Sequence, residues 1–95
     1  MRLMADTLPV LVRLPALFER LFPEAPRLLE LEATSVAALL ASLDARWPGM
    51  RDRIADTSPA IRRHVNIFVN GTKVTLDAPL PPGADVFILT AISGG

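Results

Sequence analysis

The stretch Arg63–Gly71, RHVNIFVNG, constrains this chain more than any other. Val65, Ile67 and Val69 alternate with His64, Asn66 and Phe68, which is the two-residue period of a strand with one buried face. Asn70-Gly71 follows at once. A two-residue hairpin turn of type I′ requires positive φ at both central positions, and Asn followed by Gly tolerates this well. A strand over residues 63–70 is therefore expected to turn back into a short strand over 72–75. Such a hairpin needs a larger sheet around it, and the buried face of that sheet needs an apolar cover.

The cover is legible at Ser35–Trp47. Val36, Leu39, Leu40, Leu43 and Trp47 recur at helical spacing and form one stripe. Ser35 is placed to act as N-cap, and Pro48-Gly49 stop the helix. Ala38 occupies the position where a capping box would need Glu or Gln, so the reciprocal bond is absent. Trp47 caps the core at the helix end. Two further strands precede the helix. Pro9–Leu14 puts Val10, Val12 and Leu14 on one face, with Leu11 and Arg13 on the other. Arg27–Glu32 puts Leu29 and Leu31 inward, with Glu30 and Glu32 outward. The two form a wide hairpin around Ala16–Phe22, which has room for one or two helical turns closed by Pro23 and Pro26. Met50–Pro59 reads as a polar connection with at most a short helical turn. Asp77–Ala84 reads as a Pro-rich loop with Leu80 as a plug into the core, and Val86–Thr90 as the last strand. The expected fold class is α+β: a mixed sheet of four to five strands with one main helix packed on one face. Residues 1–8 are expected to be a flexible start, 9–91 a single domain and 92–95 a flexible tail ending in Gly-Gly.

Composition narrows the chemistry. Of 95 residues, 51% are hydrophobic, enough for one core. There is no Cys, so disulfides, thiolate zinc sites and thiol nucleophiles are excluded. One His makes a multi-histidine metal site or a His-paired relay a poor reading. Ten basic residues balance ten acidic ones, which argues against a general nucleic-acid binder. No apolar run reaches the roughly 18 residues of a membrane span, and Met1–Thr7 carries no signal-peptide pattern, so cytoplasmic residence is expected.

The chemistry-bearing feature is the Gly94-Gly95 end. A carboxylate must be activated before it becomes an acyl donor, and a tail threading into a narrow adenylating site must not clash there. Glycine has no side chain and adapts its backbone freely. Extended, the last three residues span at most about 10 Å. A strand ending at Thr90 thus aims the carboxylate away from the domain.

The order of elements, VNIFVNG at Val65–Gly71, Leu80 followed by Gly83-Ala84-Asp85-Val86, and the terminal Ile92-Ser93-Gly94-Gly95 together resemble the MoaD/ThiS family of ubiquitin-like sulfur carriers. The resemblance covers Pro9–Gly95 and is greatest to the CysO-like branch, from which Met1–Leu8 and the apolar, Pro-rich stretch Pro15–Pro26 depart. It implies a β-grasp fold and a carrier cycle. The Gly95 carboxylate would be adenylated by a ubiquitin-activating-type adenylyltransferase, MoeB- or ThiF-like, using Mg-ATP. Sulfide or a persulfide would then displace AMP and leave a thiocarboxylate. That group would give its sulfur to a biosynthetic enzyme making a cofactor, an amino acid or a siderophore. The chain would be no enzyme itself and would hold no permanent cofactor or metal; Ile92, Ser93 and Gly94 would guide the tail. The alternatives of the same form are a ubiquitin-like modifier joining Gly95 to lysines, the small subunit of molybdopterin synthase, and a plain interaction domain.

A carrier must dock on its partners. By strand parity Phe68, Phe87 and Leu89 face outward beside the tail, with Leu11 and Arg13 as neighbours, and form the candidate partner-binding patch. Charge around them is expected to be sparse. Arg46, Arg51, Arg53, Arg62 and Arg63 cluster in sequence against Asp52 and Asp56, a pattern of a solvated loop or of an anion-binding or partner-docking edge. His64 reads as a surface strand residue. Lys73 is the only lysine of the chain.

Overall fold

In the computed structural model, residues 8–90 are described here. The first strand, β1 (Val10–Arg13), is followed by a single turn of helix, α1 (Phe18–Leu21), and by β2 (Leu28–Leu31). The main helix α2 (Val36–Arg46) and a short helix α3 (Met50–Ile54) come next, then β3 (Val65–Val69), β4 (Thr72–Val74) and β5 (Asp85–Thr90). The five strands form one sheet in the order β2-β1-β5-β3-β4. β5 lies in the middle, parallel to β1 and antiparallel to β3, and the other neighbouring pairs are antiparallel. The sheet is thus mixed and five-stranded, with α2 as its one long helix.

The hairpin at Asn70-Gly71 has the expected geometry. Asn70 has φ 50° and Gly71 φ 87°. Asn70 does a second job: its side-chain oxygen accepts from the Asp85 N–H at 2.9 Å, and its own N–H donates to the Asp85 carbonyl. The turn therefore starts β5 as well as closing β3 on β4.

Period two decides the faces. Val10, Val12, Val65, Ile67, Val69, Val86 and Ile88 point into the core, where they meet Val36, Leu39, Leu40 and Leu43 of α2. The helix starts as its sequence requires, with the Ala38 N–H donating to the Ser35 hydroxyl. Two further N–H groups of its first turn, at Val36 and Ala37, donate to the Ala78 and Leu76 carbonyls. Loop 75–80 thus satisfies donors that the helix itself cannot pair, and it carries Leu80 into the core.

Two expectations need correction. The strand expected from Arg63 begins at Val65. Arg63 and His64 lie in a turn, which the Val65 N–H closes on the Arg62 carbonyl. The connection after α2 is less polar than it reads. Met50, Ile54 and Ala55 are fully buried, and the Gly49 and Arg51 N–H groups both donate to the Asp44 carboxylate. Apolar residues four apart flanked by arginines are a helical signal too short to stand out. At the start of the chain, the Leu8 carbonyl accepts from the Gly83 N–H, so backbone bonding reaches back to Leu8.

Candidate functional site

The face of the sheet away from α2 has no element of the described residues across it. Its strands set side chains in a row: Arg13 on β1 opposite Phe87 on β5, Phe87 opposite Phe68 on β3, and Phe68 opposite Lys73 on β4. Leu89 stands two residues beyond Phe87 on the same face, opposite Asn66. Phe68 and Phe87 are partly exposed and Leu89 is 46% exposed, while their chain neighbours Val86 and Ile88 are fully buried. The three residues singled out by parity therefore share one face and adjoin one another.

β1 ends two residues before the level of Leu89. Past its end the chain turns outward at Pro15, and the arm carrying α1 stands beside the end of β5. The result is an open groove of about 790 Å³ lined by Leu17, Arg20, Arg27, His64, Phe87 and Leu89, among others. Thr90, the last described residue, also lines it. The arm is tied back by its far end: the Leu14 N–H donates to the Arg27 carbonyl, and Arg27 Nε donates to the Leu14 carbonyl at 3.1 Å. Phe18 is buried and meets Phe22 edge to face at 5.5 Å, so one side of the arm is core. Leu17, exposed at 44%, is its other side.

Charge around the patch is not sparse as the sequence implied. Arg13 lies over the Phe87 ring at 4.8 Å, a cation–π contact, with its Nε 3.8 Å from the Asp85 carboxylate. Arg27 pairs with Glu19 at 3.4 Å. Arg20 and His64 complete a basic border. These arginines sit far from Phe87 in the sequence, and only the β1–β5 pairing and the folded arm bring them to it. Leu17, Arg20 and Arg27 are the contributors that sequence reasoning missed. The one available signal was an exposed leucine in a Pro-bounded apolar stretch.

The other singled-out residues lie elsewhere. Ile92, Ser93, Gly94 and Gly95 fall outside the described residues. Arg51, Arg62 and Arg63 border a second groove, on the opposite edge of the sheet beside β4. There Asp56 binds the Ser58 hydroxyl and the Ser58 and Ala60 N–H groups, and the Ser58 hydroxyl above all holds its carboxyl below the usual aspartate range. That is local loop chemistry: an exposed carboxylate closing its own turn.

A five-stranded mixed sheet of this order, with one long helix across one face and an apolar, arginine-bordered patch on the other, defines a ubiquitin-like β-grasp domain. The ThiS family model matches residues 12–95, and the chain belongs to that family, whose members are small ubiquitin-like carrier proteins. Its fold is similar to a chain of the Amycolatopsis orientalis BexX/CysO complex, with a TM-score of 0.81 at 23% identity over 90% of this chain and 99% of that one. It is also similar to Mycobacterium tuberculosis CysO, with a TM-score of 0.77 at 26% identity over 87% and 99%. The small archaeal modifier protein 1 from Methanosarcina acetivorans shares the fold as well, with a TM-score of 0.76 at 23% identity over 94% and 98%. Comparison with curated protein sequences yields no match.

Proposed function

We propose that this chain carries sulfur as a thiocarboxylate on Gly95. In the proposed cycle the Gly95 carboxylate attacks the α-phosphate of Mg-ATP in an activating enzyme of the MoeB or ThiF type, forming an acyl adenylate and releasing pyrophosphate. Sulfide, or a persulfide with a reductant for its second sulfur, then attacks the acyl carbon and AMP leaves. The thiocarboxylate passes its sulfur to an acceptor enzyme of a biosynthetic pathway. The carrier contributes position, while acid, base and metal chemistry belong to its partners. Phe68, Phe87 and Leu89 are the docking patch in this reading, and Ile92, Ser93 and Gly94 feed the carboxylate into the partner's channel.

The observation that carries the reading is the end of β5. This strand is held by ladders on both sides over Asp85–Phe87 and by β3 as far as Thr90, the last described residue, beside the exposed apolar patch. A partner gripping the patch would hold the origin of the tail at a fixed distance from its own active site. Such positioning is what makes an acyl transfer effectively intramolecular.

The test is intact mass of the full chain after incubation with Mg-ATP, sulfide and a purified activating enzyme of the family. The expected result is exchange of one oxygen for one sulfur, lost when Gly95 is deleted. Isopeptide adducts on lysines of other proteins, with no sulfur incorporated, would move the chain to the modifier class. Failure of every such enzyme to change the mass of the folded chain would end the carrier reading.

A further inference from the structure

The proposed sulfur chemistry makes no use of the groove at the β4 edge. It is lined by the consecutive runs 59–63 and 73–77 and by residues 65–67 at the start of β3, and its volume is about 770 Å³. A strand advances about 3.3 Å per residue, so runs of this length flank an extended guest of about five residues. Ile61, Val74 and Leu76 give it apolar lining, all of them partly exposed.

β4, whose Lys73 and Val74 line the groove, is an edge strand with no partner on the side away from β3. β4 pairs with β3 only, at Val69↔Thr72, Phe68↔Lys73 and Ile67↔Val74. In a hairpin with a two-residue turn, the pair flanking the turn exchanges hydrogen bonds and the next pair does not. Lys73 is in that next pair, so its N–H and C=O point away from β3. Neither takes part in a backbone hydrogen bond outside the ladders among the described residues.

The charge is one-sided. Arg51, Arg62, Arg63 and Lys73 line the groove against Asp77 alone. The ion pairs of the described residues are Arg13–Asp85 and Arg27–Glu19, so none of the four groove cations has one. Arg62 keeps its Nε on the Asp52 carbonyl and lies near Asp56, while the other three have no acidic side chain in salt-bridge range. In a chain with zero net charge, this is a local concentration of uncompensated positive charge.

We propose that this groove receives an extended acidic segment of a partner protein, added as a sixth strand to β4. Its backbone pairs with the N–H and C=O of Lys73. Glutamates on the outer side of the added strand lie beside Lys73, and apolar residues on the inner side lie against Val74 and Ile61. The groove adjoins the patch where Lys73 lies opposite Phe68, whereas Leu89 stands on β5, beyond β3 from the groove, and so distinguishes the two surfaces.

The test uses the full chain and a fluorescein-labelled peptide alternating Glu with Val over eight residues. The readouts are anisotropy, amide shifts and amide exchange. The expected results are saturable binding, shifts along residues 59–63 and 72–77, and slowed exchange at the Lys73 N–H. The double variant Lys73→Glu, Arg63→Glu should weaken binding about tenfold or more, with an unchanged far-ultraviolet spectrum. Leu89→Arg should leave it unchanged. Equal binding of a Lys-Val peptide, insensitivity to the double charge reversal, or shifts centred on Phe87 and Leu89 would each overturn the proposal. So would equal binding of a peptide with its four glutamates in one block, which would reduce the groove to a simple anion site.

Discussion

Ile88 and Leu89 are consecutive residues of β5 that face opposite sides of the sheet, and changing each in turn measures what the two sides do. Ile88 is fully buried and lies opposite Ile67 across the β5–β3 ladder. Truncating it to Ala removes three buried carbons, about 2.4 kcal/mol of transfer free energy at about 0.8 kcal/mol each. A cavity that relaxes only partly adds about 1–2 kcal/mol. The sum, about 4 kcal/mol, is a third or more of the roughly 5–14 kcal/mol expected for 95 residues. It corresponds to a melting temperature lower by about 15 °C or more. Leu89 is half out in solvent, and the methylene stem of an arginine covers much the same surface. Leu89→Arg should therefore stay within about 1 kcal/mol of the parent in stability. The same change places a charge in the middle of the proposed contact and should weaken binding to the activating enzyme by tenfold or more. Urea titration with the slope held constant between variants reads the first quantity, and calorimetric titration with the enzyme reads the second. A Leu89→Arg midpoint as low as that of Ile88→Ala would refute the assignment of faces. Unaltered enzyme affinity in a folded Leu89→Arg chain would refute the docking patch instead.

Three further outcomes follow from local geometry. Asn70→Gly keeps a residue that accepts φ 50° but removes the side-chain acceptor of the Asp85 N–H, so denaturant titration should show a loss of about 1 kcal/mol. Gly71→Ala meets no atom within 4 Å, but φ 87° is unfavourable for any side chain, so the same assay should show a loss of about 1–2 kcal/mol from backbone strain alone. Asp56 has a folded-state pKa below its ordinary value, so its contribution is present above the unfolded pKa and is lost as pH falls through the lower folded one. Acid titration of Asp56→Asn against the parent should accordingly give curves that differ near neutral pH and converge below the usual aspartate range.

The parts of this fold that a reader of the sequence can foresee are those written in short-range periods. Val65–Val69 and Val86–Ile88 declare their faces by alternation, Val36–Leu43 declares its stripe, and Asn70-Gly71 declares its turn. Less legible is what depends on which distant segments meet. That β1 lies against β5 is nowhere in the local pattern, yet it places Arg13 over Phe87 and makes the patch basic at its border. The Asp44 carboxylate gathers the Gly49 and Arg51 amides across a helix break, at the start of a short helix that buries Met50 and Ile54. Arg51, Arg62 and Arg63 already stand out as a cluster in the sequence, but only the fold adds Lys73 and places all four along one groove.

The strand that comes last along the described chain is the one in the middle of the sheet. The hairpin of β1 with β2 and the hairpin of β3 with β4 share no ladder; each reaches the other only through Asp85–Thr90. A chain cut short at residue 84 therefore has two sheet fragments with no ladder between them and an α2 stripe without the strand at the centre of the sheet. Products of early termination before β5 expose apolar surface and unpaired strand edges, the features by which proteases and chaperones recognise unfinished chains. In the proposed cycle, a partner that grips the β5 patch therefore selects chains that have completed their sheet.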